Sequence, residues 1–301
     1  MSAGIGEIAA ITTALLWGVS NLIQGNIGRQ IGSNSVVILR MPYQIGILGL
    51  LCLIMNADTS TTLYAFGLLA VSGIIGLALS DYCLYKSINI VGPAMAVLIL
   101  SSTTVFTVIL GRAFLGEILS LQAWAGIAIT IVGILWVITG RSGSILLPGQ
   151  DAPTGGQLIF GALLSFGAAL SMSFSFILLK MALQTGVDPL WASLIRPICG
   201  GIVLWALAYT RGWFKPAWEG IRLHPAFIWL LFISCAAAAG GMWFSSVAFN
   251  LAPVGVAATL IGLQPIMVTM LGALWYKRQP SLRVVAGSLV AFGGTALICL
   301  R

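Results

Sequence analysis

The residues of this chain that could do chemistry are polar side chains set inside long apolar runs. Ser101, Ser102, Thr103, Thr104 and Thr107 form the densest group. About 160 residues later Gln264 stands at the place of Thr104 and is followed by Pro265. Hydroxyls and an amide at such depth suit a neutral or zwitterionic ligand, which needs hydrogen bonds more than a countercharge. Trp17, Asn21 and Gln24 are spaced to share one helix face. An indole flanked by amides can stack on a flat or apolar ligand while the amides fix its polar end. Ser171 and Ser175 occupy the corresponding places in the second half, and Tyr82 with Tyr85 form an aromatic pair matched there by Trp243 and Ser246.

Each group also has a structural reading. Ser and Thr in apolar helices bond to the carbonyl four residues back or join helices, and Trp anchors helices at interfaces. Of the seven acidic residues, few are available for proton coupling: Glu7, Asp81 and Glu117. Glu117 reads as a partner for Arg112 or as a helix end, and Lys86 and Lys180 as side chains that snorkel to the surface. There is no phosphate-binding G-x-x-x-x-G-K-[ST] loop, no H-E-x-x-H and no Cys/His cluster, so no catalytic residues, metal or cofactor are expected. Cys52, Cys83, Cys199, Cys235 and Cys299 each sit in an apolar run and read as small interior residues.

The elements that must position these groups are membrane helices. With 59% hydrophobic and 7% charged residues in 301, the composition excludes a water-soluble fold. The 14 Lys and Arg that give a net charge of +7 are scattered singly and form no nucleic-acid-binding face. Ten apolar runs of spanning length lie near 5–27, 35–55, 63–88, 93–115, 120–140, 156–183, 188–209, 226–249, 254–276 and 281–300. The connection 211–225 carries most of the loop charge and reads as a loop. The first basic residue is Arg29, so a cleavable signal is not expected and the first helix is expected to stay in the membrane.

The second half repeats the first. Pro93 falls on Pro253, Leu100 on Leu260 and Val108 on Val268, and Ser120-Leu121-x3-Ala125-Gly126-x6-Gly133 matches Ser281-Leu282-x3-Ala286-Gly287-x6-Gly294. Arg40 and Arg196 stand at matching places early in helices two and seven. Five crossings per copy is odd, so the copies, 1–145 and 155–301, must be inverted in the bilayer. Carriers often hold a site between two such halves.

Gly92-Pro93 entering an apolar helix that ends Leu115-Gly116-Glu117, then Gln122-x3-Gly126-x6-Gly133, resembles the EamA-type repeat of the drug/metabolite transporter superfamily. So does Leu15-Leu16-Trp17-Gly18 with Arg40 opening helix two. The resemblance implies a ten-helix bacterial inner-membrane exporter of small metabolites, amino acids among them, and is strongest to the aromatic amino acid exporters of the YddG type. The chain departs from the pattern at Val105, where a proline is usual, and in the second copy, where Lys277 or Arg278 stands at the place of Glu117.

Charge sets an orientation. Loops after odd-numbered helices, with their flanks, hold Arg29, Lys86, Arg141, Arg211, Lys215, Arg222, Lys277, Arg278 and Arg283, against Arg112, Lys180 and Arg301 on the other side. Positive loops stay cytoplasmic, so both termini are expected on the non-cytoplasmic side.

Overall fold

Long apolar segments broken by short polar turns leave a chain one way to satisfy its backbone in lipid, which is to coil every segment into a helix. The computed structural model describes residues 2–91, 96, 99–100, 102–118, 120–139, 155–264, 266–267, 271 and 282–299, and among them there is no strand. Six stretches are long and apolar enough to cross a membrane: Gly4–Gly28, Asn34–Ile54, Leu63–Leu84, Gly156–Leu183, Pro189–Thr210 and Ala226–Leu251. Shorter apolar helices at Thr103–Leu115 and Trp124–Gly133 belong to the same series, and the architecture is that of a ten-helix membrane protein.

In the first half α1 (Ser2–Ile31) and α2 (Ser33–Ile54) meet at Gly32, whose φ of 87° lets two long helices turn within one residue. Crossing three is α3 (Leu63–Gly73), a π-helical turn (Ile74–Leu79) and α4 (Ser80–Val91). Crossings four and five supply α5 (Thr103–Leu115) and α6 (Leu121–Thr139). The second half runs α7 (Gly155–Leu183), α8 (Pro189–Thr210), α9 (Phe214–Leu223), α10 (Ala226–Leu251), α11 (Val254–Ile261) and α12 (Leu282–Cys299). Asp188 caps α8, its carboxylate accepting the N–H groups of Leu190 and Trp191 at 2.7 and 3.2 Å. Between α2 and α3 the turn is held by Ser60, whose N–H and hydroxyl both donate to Asp58 at 2.8 Å and keep that carboxyl below its ordinary pKa.

Two expectations need correction. The connection 211–225 contains a helix, α9, with Ala217 buried and Lys215, Trp218, Glu219 and Arg222 exposed. Its ten residues are too few and too charged to stand out as an apolar run of spanning length. Lys180 does not snorkel: it is buried, and its ammonium donates to backbone carbonyls of Asn250 and Ala252 at 3.4 and 2.9 Å.

The packing obeys the duplication. α1 lies along α10, and α4 along α7, which are the same pair taken from each copy; α2 faces α8, α5 faces α11 and α6 faces α12, copy against copy. The α6–α12 seam is backbone-close. A Cβ on Gly133 would fall less than 3.0 Å from the backbone of Ala291, and one on Gly294 equally near Thr130 and Gly126. The largest buried cluster, including Ala9, Ala65, Leu69, Phe176, Phe249 and Val254, gathers toward the end where the chain starts. That end is called the terminal end below, and the opposite one, carrying Lys86 and Arg211, the basic end.

Candidate functional site

One face of α1 shows where the two halves part. Ala10, Ala14, Trp17, Asn21 and Gly25 follow each other at helical spacing on it. Ala10 and Ala14 are fully covered, Trp17 is half-buried, and Asn21 and Gly25 are exposed. Along crossing nine all eight residues of α11 are buried, and beyond a turn at Gly262 the side chain of Gln264 is half-buried while Leu263 and Ile266 stay fully buried. Along this face of α1, cover therefore falls from the terminal end toward the basic end.

The expected site residues divide into those left at least partly uncovered and those that helix contacts absorb. Asn21 is exposed, and Gln264, Ser171 and Trp243 are half-buried, with Trp243 stacked on Phe244 at 5.4 Å between centroids. Thr104 is buried beside Gly262, where an added Cβ would meet its hydroxyl at 2.9 Å, so crossings four and nine touch at mid-depth. Trp17 is shared between the two kinds. Its indole N–H donates to the carbonyl of Ala238 at 3.3 Å and its ring lies on Gly241, which has no side chain to displace it.

Ser175 and Ser246 are absorbed. Ser175 donates to the carbonyl of Ser72 at 2.7 Å while the Ser72 hydroxyl returns a bond to the carbonyl of Ser175 at 2.8 Å. Ser246 shares a 2.7 Å hydroxyl contact with Ser193. Ser102, Thr103 and Thr107 bond to carbonyls three or four residues back in their own helix, at 2.6, 2.6 and 2.7 Å. Ser101 and the side chain of Tyr85 lie outside the described residues.

The terminal end is sealed by groups from both halves. Glu117, at the end of α5, accepts the N–H of Val254 with both carboxylate oxygens at 2.8 Å. It thus caps the first turn of α11, where an anion also meets the positive end of the helix. Lys180 holds the carbonyls of residues 250 and 252 immediately before that turn. Gly6 packs against Leu251 and Ala252 from α1. The expected Arg112 partnership of Glu117 is replaced by this cap.

The two matched arginines differ in their partners. Arg40 forms an ion pair with Asp81, the side chains 14% and 12% exposed. Arg196, almost wholly buried, donates from Nη2 to the Ser175 hydroxyl at 3.0 Å, and its Nε has no partner among the described residues. Sequence reading missed this arrangement, although the matched positions of the arginines were the available signal.

At the basic end a cavity of about 190 Å³ is lined by Asn34, Tyr82, Lys86, Leu204, Arg211 and Trp213. A second hollow, about 420 Å³ and lined by Cys52, Asn56, Trp191 and Leu194, lies between α2 and α8 at the terminal end. Among the described residues no cluster of His, Cys, Asp or Glu could hold a metal ion.

With this geometry in place, the comparisons with known proteins are specific. The profile of the EamA-like transporter family matches twice, over residues 4–139 and 159–300. A crystal structure of a protein at 16% sequence identity superposes with a TM-score of 0.71, covering 98% of this chain and 96% of its own, a likeness of fold alone. No curated protein gives a significant match.

Proposed function

The chain belongs to the EamA-like transporter family, and from that membership we propose that it exports amino acids, aromatic ones included, by alternating access between its two inverted halves. It is a multi-pass membrane transporter of small molecules, and its family is one of transporters and not of enzymes. The halves are taken as 1–145 and 155–301, in a bacterial inner membrane with both termini on the outer side.

The observation that carries the mechanism is the difference between the two ends of one helix face, covered at Ala10 and Ala14 and open at Asn21 and Gly25. A cleft open to one side, with its far end closed by contacts between the halves, is one of the two states an alternating carrier must visit. Because the halves are inverted copies, the second state follows by exchanging their packing. In it the Glu117–Val254 cap would break and the basic end would close.

In the open cleft Asn21 and Gln264 offer amides, while Trp17 and Trp243 offer aromatic faces. That set suits a zwitterion bearing a flat or apolar side chain, held through hydrogen bonds and stacking. The proposed substrate-binding set is Trp17, Asn21, Tyr82, Tyr85, Ser101, Thr104, Ser171, Trp243 and Gln264, while Ser175 and Ser246 are taken up by helix contacts and support it only through them.

The experiment is counterflow in proteoliposomes. Vesicles loaded with unlabelled tryptophan, phenylalanine or a non-aromatic amino acid should accumulate the labelled species transiently and saturably without ATP. Flux that does not saturate and is not accelerated by substrate on the far side would be that of a channel and would end the carrier reading.

A further inference from the structure

Lys86 and Arg211 open into one cavity, and neither has a carboxylate within salt-bridge reach among the described residues. The nearest acid in sequence, Asp81, is already paired with Arg40. We propose that this cavity at the basic end binds an oxyanion head group, a carboxylate or a phosphate, between Lys86 and Arg211.

Both cations are exposed, and the fold fixes the backbone that carries them. α8 ends with Gly212 at a φ of 67°, so that Trp213 N–H reaches back to the Ala208 carbonyl at 3.0 Å and Gly212 N–H to that of Tyr209 at 3.2 Å. This closure of the helix end fixes Arg211 and Trp213 on the cavity wall. Lys86 is placed by aromatic faces, its ammonium 5.8 Å from the Tyr82 ring centroid and 5.5 Å from that of Phe160. Ring faces orient an ammonium but leave its charge uncompensated.

Two like charges that line one concavity repel each other, and two of its other walls, Val37 and Leu204, are buried and apolar. An anion between them turns that repulsion into two attractions. Arg211 can engage an oxyanion through a planar fork and Lys86 as a point charge. Asn34 adds an amide, and Tyr82 and Trp213 add walls for whatever apolar group the anion carries. The cavity, about 190 Å³, has room for a small head group. Two sources supply such a group: a soluble carboxylate entering the cleft, or an anionic lipid whose tails stay in the bilayer.

Purified protein in neutral detergent is titrated with dioctanoyl phosphatidylglycerol and with indole-3-acetate, using dioctanoyl phosphatidylcholine and indole as controls, while the melting temperature is followed. At least one anion should raise it saturably, and neither control should. In Lys86→Gln/Arg211→Gln the half-saturating concentration should rise tenfold or more, whereas the charge-preserving Lys86→Arg/Arg211→Lys should stay within threefold of wild type. A response to phosphatidylglycerol alone identifies a lipid head group, and one to indole-3-acetate alone a soluble carboxylate. Absence of a saturable response to either anion, or wild-type saturation in the Gln variant, overturns the proposal. If the double Gln variant does not fold, the two single Gln variants carry the same criterion. The readout needs no transport, so it stands or falls separately from the carrier reading.

Discussion

Glu117 holds the backbone N–H of Val254 between its two carboxylate oxygens, each 2.8 Å away, and so one half of the molecule supplies the helix cap of the other. An interaction between the halves has a different meaning from a cap inside one helix. Under the proposed alternating access, its loss should change how often the terminal end opens as well as how stable α11 is.

Removing that carboxylate by Glu117→Ala should favour opening of the terminal end by about 0.5–2 kcal/mol, the usual worth of a cap. A thiol at the buried position 254, introduced as Val254→Cys in a cysteine-free background, should then react with a soluble reagent roughly 2- to 30-fold faster. An unchanged labelling rate would show that the cap does not hold this end shut.

Asp81→Asn leaves the Arg40 guanidinium without its countercharge in a largely covered site. The expected loss is about 3–5 kcal/mol of stability, read as a large drop in melting temperature in detergent. Arg40→Gln/Asp81→Asn should recover much of it, because no lone buried charge remains. A double variant as unstable as the single one would mean that the pair's ionic character is irrelevant.

Gln264→Ala should weaken substrate binding by about 1–3 kcal/mol, roughly 5- to 150-fold, with little change in melting temperature, since its side chain is only half-buried. Trp17→Ala should weaken binding by a similar amount and also lower stability, because its ring fills the space over Gly241. Wild-type affinity in either variant, measured by titration of the purified protein, removes that residue from the site.

For orientation, Lys215 and Ser60 are both exposed and belong to opposite ends, Lys215 on α9 and Ser60 in the α2–α3 turn. With positive loops cytoplasmic, a cysteine replacing Ser60 should react with a membrane-impermeant reagent in intact cells and one replacing Lys215 should not. The reverse pattern would place both termini on the cytoplasmic side and overturn the orientation read from the charges.

How much of this was legible beforehand depends on whether an observation was local or relational. The spacing of Trp17 and Asn21 placed them on one face without any coordinates, and the Pro93 and Pro253 match implied two halves. Which hydroxyls would be consumed could not be read. Ser175 was a candidate until Ser72, 103 residues earlier, was found bonded to it, and Ser246 until Ser193 was. Serine is small enough to serve a ligand or a neighbouring helix, and only the partner across the gap decides. Lys180 misled for a related reason. A long cationic stem near a helix end usually reaches water, yet here the carbonyls left free before α11 lay closer.

The π-helical turn at Ile74–Leu79 acts as a shim. It adds a residue to crossing three and so turns everything after it by about 100° relative to an unbroken α-helix. With the shim, Ser72 before it meets Ser175 of α7 while Asp81 after it meets Arg40 of α2. Crossing eight, its counterpart, runs from Ala226 to Leu251 without such a turn. Deleting one residue within 74–79 would relax the backbone to plain α-helix yet aim Asp81 away from Arg40, so a change that straightens the helix would cut the first half off from its only buried ion pair among the described residues. The two inverted copies thus differ in phase as well as in charge, and a carrier whose halves are out of phase need not spend equal time open to its two sides.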